Sequence, residues 1–558
     1  MAINNDSSSS AHRADEETPL LRDDDNSKLQ NGNGDNVQQG SSEEVVLPQE
    51  MSPRRLYITL ASIYVGVFLG ALDSTIIATL SAPISTSFNS LSLLSWLASA
   101  YLIANAACQP LSGRLTDIFS RRTGLLVSNI LFAAGNLMCG LATSEWSMIA
   151  GRVVAGMGGG GLMAISTFVG SDLVPLRKRG LIQGLGNVCF GTGAGLGGIF
   201  GGWVNDVWGW RVAFLAQVPF CVLSGGLVWW FVNVPAKKSD KSKLSRVDFL
   251  GAFTLLVTLV LLLLGLNSGG NVVPWTHPLI LFSLPLSAVA LCAFVYVELY
   301  VASEPVIPVR LLLNRTVAAA CLCNWFTTMV TFMILFYIPI FFQVKGVSTT
   351  ASGMRLIPQS IGASIGSLGC GLIMNHTGKY KALSIAVLTS FCLGTGMLST
   401  LSLYTPDWPG YIYQFLIGLG YGGMLTVTLL AVISAVDHEH QAVITSATYA
   451  FRSTGSSIGV TIASAVYQNL LVSSLHDKFD GLPGAEKEIR KIRDNFDELK
   501  HLPKGWEHGV KDSFALALRG VFLTALGIAV LGAVCGSFMR QHTLHKTLAR
   551  RQSDATAS

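Results

Sequence analysis

Charge is what this sequence has least of. Asp, Glu, Lys and Arg make up 13% of its 558 residues while hydrophobic residues reach 50%, and an ordinary soluble domain carries about 25% charge. The deficit is uneven. Residues 1 to 50 are rich in Ser, Asn, Asp and Glu, whereas beyond Tyr57 polar stretches survive only between long apolar segments. A soluble globular chain is excluded. The net charge of +5 carries meaning only through its placement, and no nucleic-acid partner is expected.

Other absences narrow the chemistry. None of the ten histidines falls within an apolar segment. All ten cysteines do, where a thiol serves as a small apolar residue. Cys321-Leu-Cys323 has no second pair at ligand spacing, so neither disulfides nor a metal are expected. Gly156 to Gly161 is followed by no Lys-Ser/Thr, which removes the phosphate loop its glycines suggest. No cofactor and no enzymatic activity are expected. Residues 1 to 50 contain no apolar core, so the first span is expected to act as its own insertion signal rather than as a cleaved peptide.

What remains is a series of apolar segments of about 20 residues, the length that a hydrocarbon core of about 30 Å requires of a helix. Fourteen can be counted between residues 57 and 539, which makes this an all-α polytopic membrane protein. Charge then orients it, because cytoplasmic loops collect Lys and Arg. With a cytosolic N-terminus the inside loops hold Arg114, Arg121 and Arg122, then Arg177, Lys178 and Arg179, and later Lys237, Lys238, Lys241, Lys243 and Arg246. The short outside loops show only Arg211 and Lys345. Both tails are assigned to the cytosol. Residues 1–55 form a polar tail expected to be disordered. Residues 469–512 form a long luminal loop of mixed charge, and 541–558 a basic tail. In the first tail, Glu16 followed by Leu20 and Leu21 has the form of an acidic dileucine sorting signal, of the kind a clathrin adaptor complex reads. Asp437-His438-Glu439-His440 offers metal-ligating side chains but reads as a solvated cytosolic turn.

The most distinctive stretch is Gly113 to Thr123, GRLTDIFSRRT. Between two apolar segments it reads as a tight turn at the inner surface. A second copy stands at Gly371 to Lys381: glycine over Gly113, Asn375 over Asp117 and Lys379 over Arg121, at a constant offset of 258 residues. Two copies on the same side of the membrane indicate parallel halves. Gly113, Leu115, Asp117 and Arg121-Arg122 together resemble the signature loop of the major facilitator superfamily. Leu72-Asp73-Ser74-Thr75-Ile76 resembles the first-helix motif of its fourteen-helix drug/proton antiporter branch. Arg152 with Gly156, Gly158 and Gly160 resembles the fourth-helix motif. Gly193, Gly197, Gly201 and Gly202 resemble the antiporter motif, with Gly198 where the family usually has proline. Within the superfamily, Gly156 to Gly161, Ser171-Asp172, Trp210-Arg211 and Gln217-Val218-Pro219 resemble fungal vacuolar basic amino acid transporters.

The resemblance implies a six-helix half at 56–234, a linker with two extra helices at 235–315, and a second six-helix half at 316–540. It also implies proton antiport of lysine, histidine or arginine from cytosol into vacuole. The alternatives are a plasma-membrane multidrug or siderophore exporter and a non-transporting nutrient receptor. Asp73 lies deep in an apolar helix, where an ionisable residue is functional by default, and can bind a proton or pair with a cation; its alternative is a structural hydrogen bond. The family assigns a residue like Arg152 to proton coupling, with snorkelling to the outer headgroups as the alternative. Gly113, Asp117, Arg121, Arg122 and Arg452 are read as gating residues, with Arg452 as a possible partner for Asp117 across the halves. Gly193, Gly197, Gly201 and Gly202 are read as helix-packing positions. Asn105, Asn136, Asn187, Asn324, Trp325, Tyr337 and Tyr449 are candidates to line a cavity.

Overall fold

Lipid offers backbone N–H and C=O groups no partners, so a chain of this composition must satisfy them within helices. The structure, a computed structural model, describes residues 52–542 apart from short connections, the longest being 234–247 and most of 480–504. The sorting motif Glu16, Leu20 and Leu21, the Asp437–His440 cluster and the tail from 543 lie outside the described residues.

The helices of the first half are α1 (Pro53–Phe88), α2 (Ser92–Ile118), α3 (Arg121–Gly140), α4 (Glu145–Leu173), α5 (Leu176–Trp208), the short α6 (Trp210–Leu215) and α7 (Gln217–Phe231). The central pair is α8 (Phe249–Ser268) and α9 (Pro278–Tyr296), the latter ending in a π-turn, Val297–Val301. After the single turn α10 (Val309–Leu312) come α11 (Arg315–Val344), α12 (Thr349–Met354), α13 (Ile357–Thr377), α14 (Lys381–Leu398), α15 (Trp408–Ser434), α16 (Gln441–Phe479) and α17 (Glu507–Ser537). Among the described residues, twelve stretches are both long and apolar enough to cross a bilayer. Helices α2 and α5, of 27 and 33 residues, are not among them. Their Gly, Ser, Thr, Asn and Gln positions lower hydropathy where the helices pack against protein, so a fourteen-helix arrangement is compatible with the structure.

Local sequence sets several helix ends. Ser144 and Ser147 form a reciprocal capping box at α4, and Asn314 Oδ1 accepts from Thr316 N–H at the start of α11. Helix α13 stops at Gly378, whose φ of 67° is a left-handed conformation that glycine adopts without a Cβ penalty.

Each half has its own core. One gathers around Phe132, Leu162 and Phe168, the other around Val330, Phe391, Phe514 and Phe522. Helix α8 sits over the seam, with Leu263 buried against Ile103 and Ala106 of α2. The halves meet along α5 and α13, and along α2 and α16. Helix α5 makes this possible through two glycine faces. On one, a Cβ at Gly193 would strike the Phe68 carbonyl, one at Gly197 the Thr75 hydroxyl, and one at Gly201 Thr79, all on α1. On the other, Gly180, Gly184, Gly191 and Gly195 lie against Gly371, Leu368, Ser364 and Ser360 of α13. Gly202 is half-buried near the end of the same helix.

Two boundaries differ from the sequence reading. Gly113 to Ile118 is helical, so the expected turn is only Phe119 and Ser120. Helix α16 continues to Phe479, well into the segment expected as a loop from 469. In both places the helix outruns the hydrocarbon, because hydropathy reports the bilayer edge and not the end of the backbone hydrogen bonds.

Candidate transport site

The signature segment is held by its first arginine. Arg121 Nε donates to Asp172 Oδ2 at 3.0 Å, and Nη1 donates to Thr116 Oγ1 at 2.6 Å and to the Gly113 carbonyl at 3.3 Å. Its guanidinium also lies 5.2 Å from the Phe168 ring centroid. One side chain thereby ties α2, α3 and the end of α4 together. Arg122 stacks on Trp229 of α7 at 4.5 Å and donates to its carbonyl. The side chain of Asp117 lies outside the described residues. Arg121 takes Asp172 as its acid, a partner that sequence reasoning passed over as a mere family marker.

The echo in the second half is built differently. Gly371 packs on the Gly180 backbone of α5, so its role is contact between halves. The turn beyond it is held by the C-terminal segment: Gln541 Oε1 accepts from the N–H groups of Tyr380 at 3.0 Å and Lys381 at 2.9 Å. A neutral cap stands here where the first half uses an ion pair.

Asp73 and Arg152, 79 residues apart in sequence, meet. Arg152 Nη1 lies 2.8 Å from Asp73 Oδ2, with the two side chains 1% and 0% exposed. Arg152 Nε donates to the Leu97 carbonyl at 3.2 Å, and the guanidinium lies 4.4 Å from the Tyr101 ring centroid. Gln217 Nε2 approaches Asp73 Oδ1 at 3.5 Å. Helices α1, α2, α4 and α7 thus enclose the pair on all sides. Arg152 is seven residues from the start of α4, about 10 Å at 1.5 Å per residue, yet it turns inward; the snorkelling alternative does not hold. Nor is Asp73 held only by a neutral hydrogen bond. Its charge is met within its own half, and it does not line the space between the halves.

Between the halves lies a cavity of about 30 Å³, room for a water or two and too small for a solute. Its polar lining includes Tyr64, Thr167, Gln183, Asn187, Tyr449 and Arg452. Around it the halves are joined by hydrogen bonds that include no ion pair. The Tyr449 hydroxyl bonds Thr167 and accepts from Gln183 Nε2 at 3.4 Å. Asn187 Nδ2 donates to Ser367 Oγ at 2.7 Å. Ser453 bonds Gln109, and Arg179 Nη1 donates to Gln441 Oε1 at 2.6 Å. These residues lie toward the end that the charge pattern assigns to the cytosol, so the halves are bonded together at that end. Arg452 sits against the rings of Tyr449 and Phe190 at 5.4 and 5.5 Å; its described neighbours are aromatic, not acidic. Of the other cavity candidates, Asn136 bonds the Phe132 carbonyl of its own helix, and Asn105 accepts from Gln109. Asn324 donates to the Thr448 carbonyl, and Tyr337 packs on Tyr467.

At the opposite end of the second half, Lys345 Nζ and Arg355 Nη2 each lie 2.7 Å from Asp407. The Lys345 hydrogen bond, with Arg355 beside it, holds the Asp407 carboxyl below the usual carboxylate range. At the cytosolic end, burial and nearby Arg540 push His542 below the ordinary histidine value.

The family model of the major facilitator superfamily matches residues 63–460. The chain belongs to the major facilitator superfamily. It is not an enzyme but a multi-pass membrane transporter of a small-molecule substrate. This facilitator is 37% identical over 508 residues to the multidrug resistance protein fnx1 of Schizosaccharomyces pombe, covering 90% of this chain and 96% of that one. It is 33% identical over 488 residues to the vacuolar membrane amino acid uptake transporter fnx2 of the same yeast, covering 87% and 84%. The fold is shared with a solved bacterial homologue of the human lysosomal transporter Spinster, in an inward-facing, unoccupied conformation, at a TM-score of 0.57 and 14% identity over 88% of this chain and 97% of that one.

Proposed function

We propose that this facilitator is a proton-coupled antiporter that carries basic amino acids (lysine, histidine and arginine) from the cytosol into the vacuole. The observation that carries the coupling is the Asp73–Arg152 pair, fully buried with a 2.8 Å contact. Burying a charge pair costs several kcal/mol per ion before attraction repays it, so a pair placed this deep within the first half supports a working role. A proton arriving at Asp73 would take Arg152's place as the neutralising charge and free the guanidinium. Because Arg152 already meets the carboxylate, the geometry favours proton exchange at Asp73 over direct binding of a cationic side chain there.

The vacuolar address and the amino acid substrate are supported by the similarity to fnx2, whose name states both, and by the Glu16, Leu20, Leu21 motif, a site for a clathrin adaptor. A second reading, multidrug export at the plasma membrane, is favoured by the similarity to fnx1. A tagged copy located by microscopy, together with its Leu20→Ala/Leu21→Ala variant, separates them. Vacuolar signal that moves to the surface in the variant supports the first reading; surface signal in the unmodified protein overturns it.

A further inference from the structure

The seam between the halves holds a cation that the transport cycle described so far does not use. Of the charged side chains lining the closed cavity, two are arginines and none is a carboxylate. Arg179 is committed: Nη1 donates to Gln441 and Nε to the Val174 carbonyl at 3.2 Å. Arg452 is not. Its guanidinium faces the rings of Tyr449 and Phe190, and among the described residues it has no ion-pair or hydrogen-bond acceptor. It stands five residues past Ala447, where the apolar part of α16 begins, about 8 Å along the helix and inside a core of about 30 Å. A half-buried cation at that depth is expensive and marks a functional position. An arginine presents five N–H donors in a planar fork suited to a carboxylate.

We propose that Arg452 is the subsite for the carboxylate of the transported amino acid, reached from the cytosol when the Tyr449, Thr167 and Gln183 bonds part. This rests on the amino acid reading above and sharpens it: recognition at this point is of the carboxylate common to amino acids and not of a basic side chain. The neutral side chains of Gln183, Asn187 and Tyr449 leave the carboxylate no competing charge to overcome. In the closed state the two aromatic faces hold the guanidinium in reserve, since cation–π contact partly replaces the missing anion.

The test uses the full chain reconstituted in liposomes with an imposed pH gradient and labelled lysine. Lysinamide and cadaverine, which keep the cationic side chain but lack the carboxylate, serve as competitors. In the wild type both are expected to compete at least tenfold more weakly than unlabelled lysine. Arg452→Gln should raise the KM for lysine tenfold to a hundredfold, with unchanged melting temperature, and lose the preference for lysine over lysinamide. Arg452→Lys, which keeps the charge without the fork, should fall between. Equal competition by lysinamide in the wild type, or an unchanged KM in Arg452→Gln, overturns the carboxylate subsite and leaves the amino acid reading intact. A merely structural arginine would lower the amount of folded protein while leaving the lysine-to-lysinamide ratio alone, which also overturns it. A wild-type chain that moves no amino acid at all overturns the reading and the subsite together.

Discussion

Removing one member of the Asp73–Arg152 pair is expected to damage the protein far more than removing both, and the two single losses should differ. Both side chains are essentially inaccessible to water, so the survivor of a single substitution is a buried charge without its partner. Breaking a buried pair in this way costs about 3–5 kcal/mol, whereas replacing both partners by neutral groups is often tolerated. Against a typical stability of about 5–15 kcal/mol, the single loss is severe. The asymmetry follows from chemistry. After Arg152→Leu, Asp73 can escape the cost by taking up a proton. After Asp73→Asn, Arg152 cannot shed one and keeps only the Leu97 carbonyl and the Tyr101 ring.

The assay is thermal unfolding of the purified protein in detergent at pH 7.5 and pH 5. Since about 1 kcal/mol moves the midpoint of a 150–250-residue domain by about 2–4 °C, Asp73→Asn should lose several degrees at both pH values. Arg152→Leu should lose less. The double variant, Asp73→Asn with Arg152→Gln, should melt close to the wild type while losing gradient-driven uptake. An Asp73→Asn protein as stable as the wild type, or an Arg152→Leu protein that melts below Asp73→Asn, would refute the account of the pair.

Three further outcomes are expected. Tyr449→Phe removes the hydroxyl that bridges Thr167 and Gln183, worth about 0.5–1.5 kcal/mol of the closed state; a thiol introduced at Gln183 should then react several-fold faster with a reagent supplied from the cytosolic side. Gly371→Val meets the Gly180 backbone of the other half, so it should fold in normal yield yet fail to shut, whereas Gly197→Val meets α1 within one half and should lower the yield of monodisperse protein, as overpacking costs about 1–3 kcal/mol. Asp407 is held below its ordinary value of 3.8 by Lys345 and Arg355. A depressed carboxyl stabilises above its unfolded value and loses that contribution only as pH falls through the folded one. The melting difference between wild type and Asp407→Asn should therefore be constant from pH 7 to 5, begin to shrink below about pH 4, and vanish only once the pH has fallen below the depressed folded value. Because Asp407 is 38% exposed, that difference should be small, of the order of 1 kcal/mol or less.

The fold was legible because the bilayer imposes a length and a polarity that hydropathy reads directly, and because the Gly113 and Gly371 segments share one spacing. The same measure misplaced helix ends. Thr116, Asp117 and Ile118 look like loop residues, but α2 remains helical through them beyond the apolar zone. Asp73 and Arg152 were each recognisable as buried charges, yet their partnership was not, since it depends on how α1 and α4 pack and on nothing in the local sequence. The same holds for Asp172. Its value to Arg121 appears only when the end of α4 meets the start of α3. Arg452 was read as a gating residue and a possible partner for Asp117, whose side chain lies outside the described residues; that Arg452 lies against the rings of Tyr449 and Phe190 is something no one-dimensional pattern of charge contains. The glycines of α5 were recognisable as a packing device, but their division into one face toward α1 and another toward α13 required the third dimension.

The account is tested most directly by uptake of labelled lysine, histidine and arginine into vacuolar membrane vesicles energised with ATP, from cells that carry or lack this protein. Uptake that depends on the protein, collapses when an uncoupler removes the pH gradient, and is lost in the stable Asp73→Asn/Arg152→Gln double variant is the predicted result. Uptake indifferent to the protein, or carried equally well by the double variant, would contradict it.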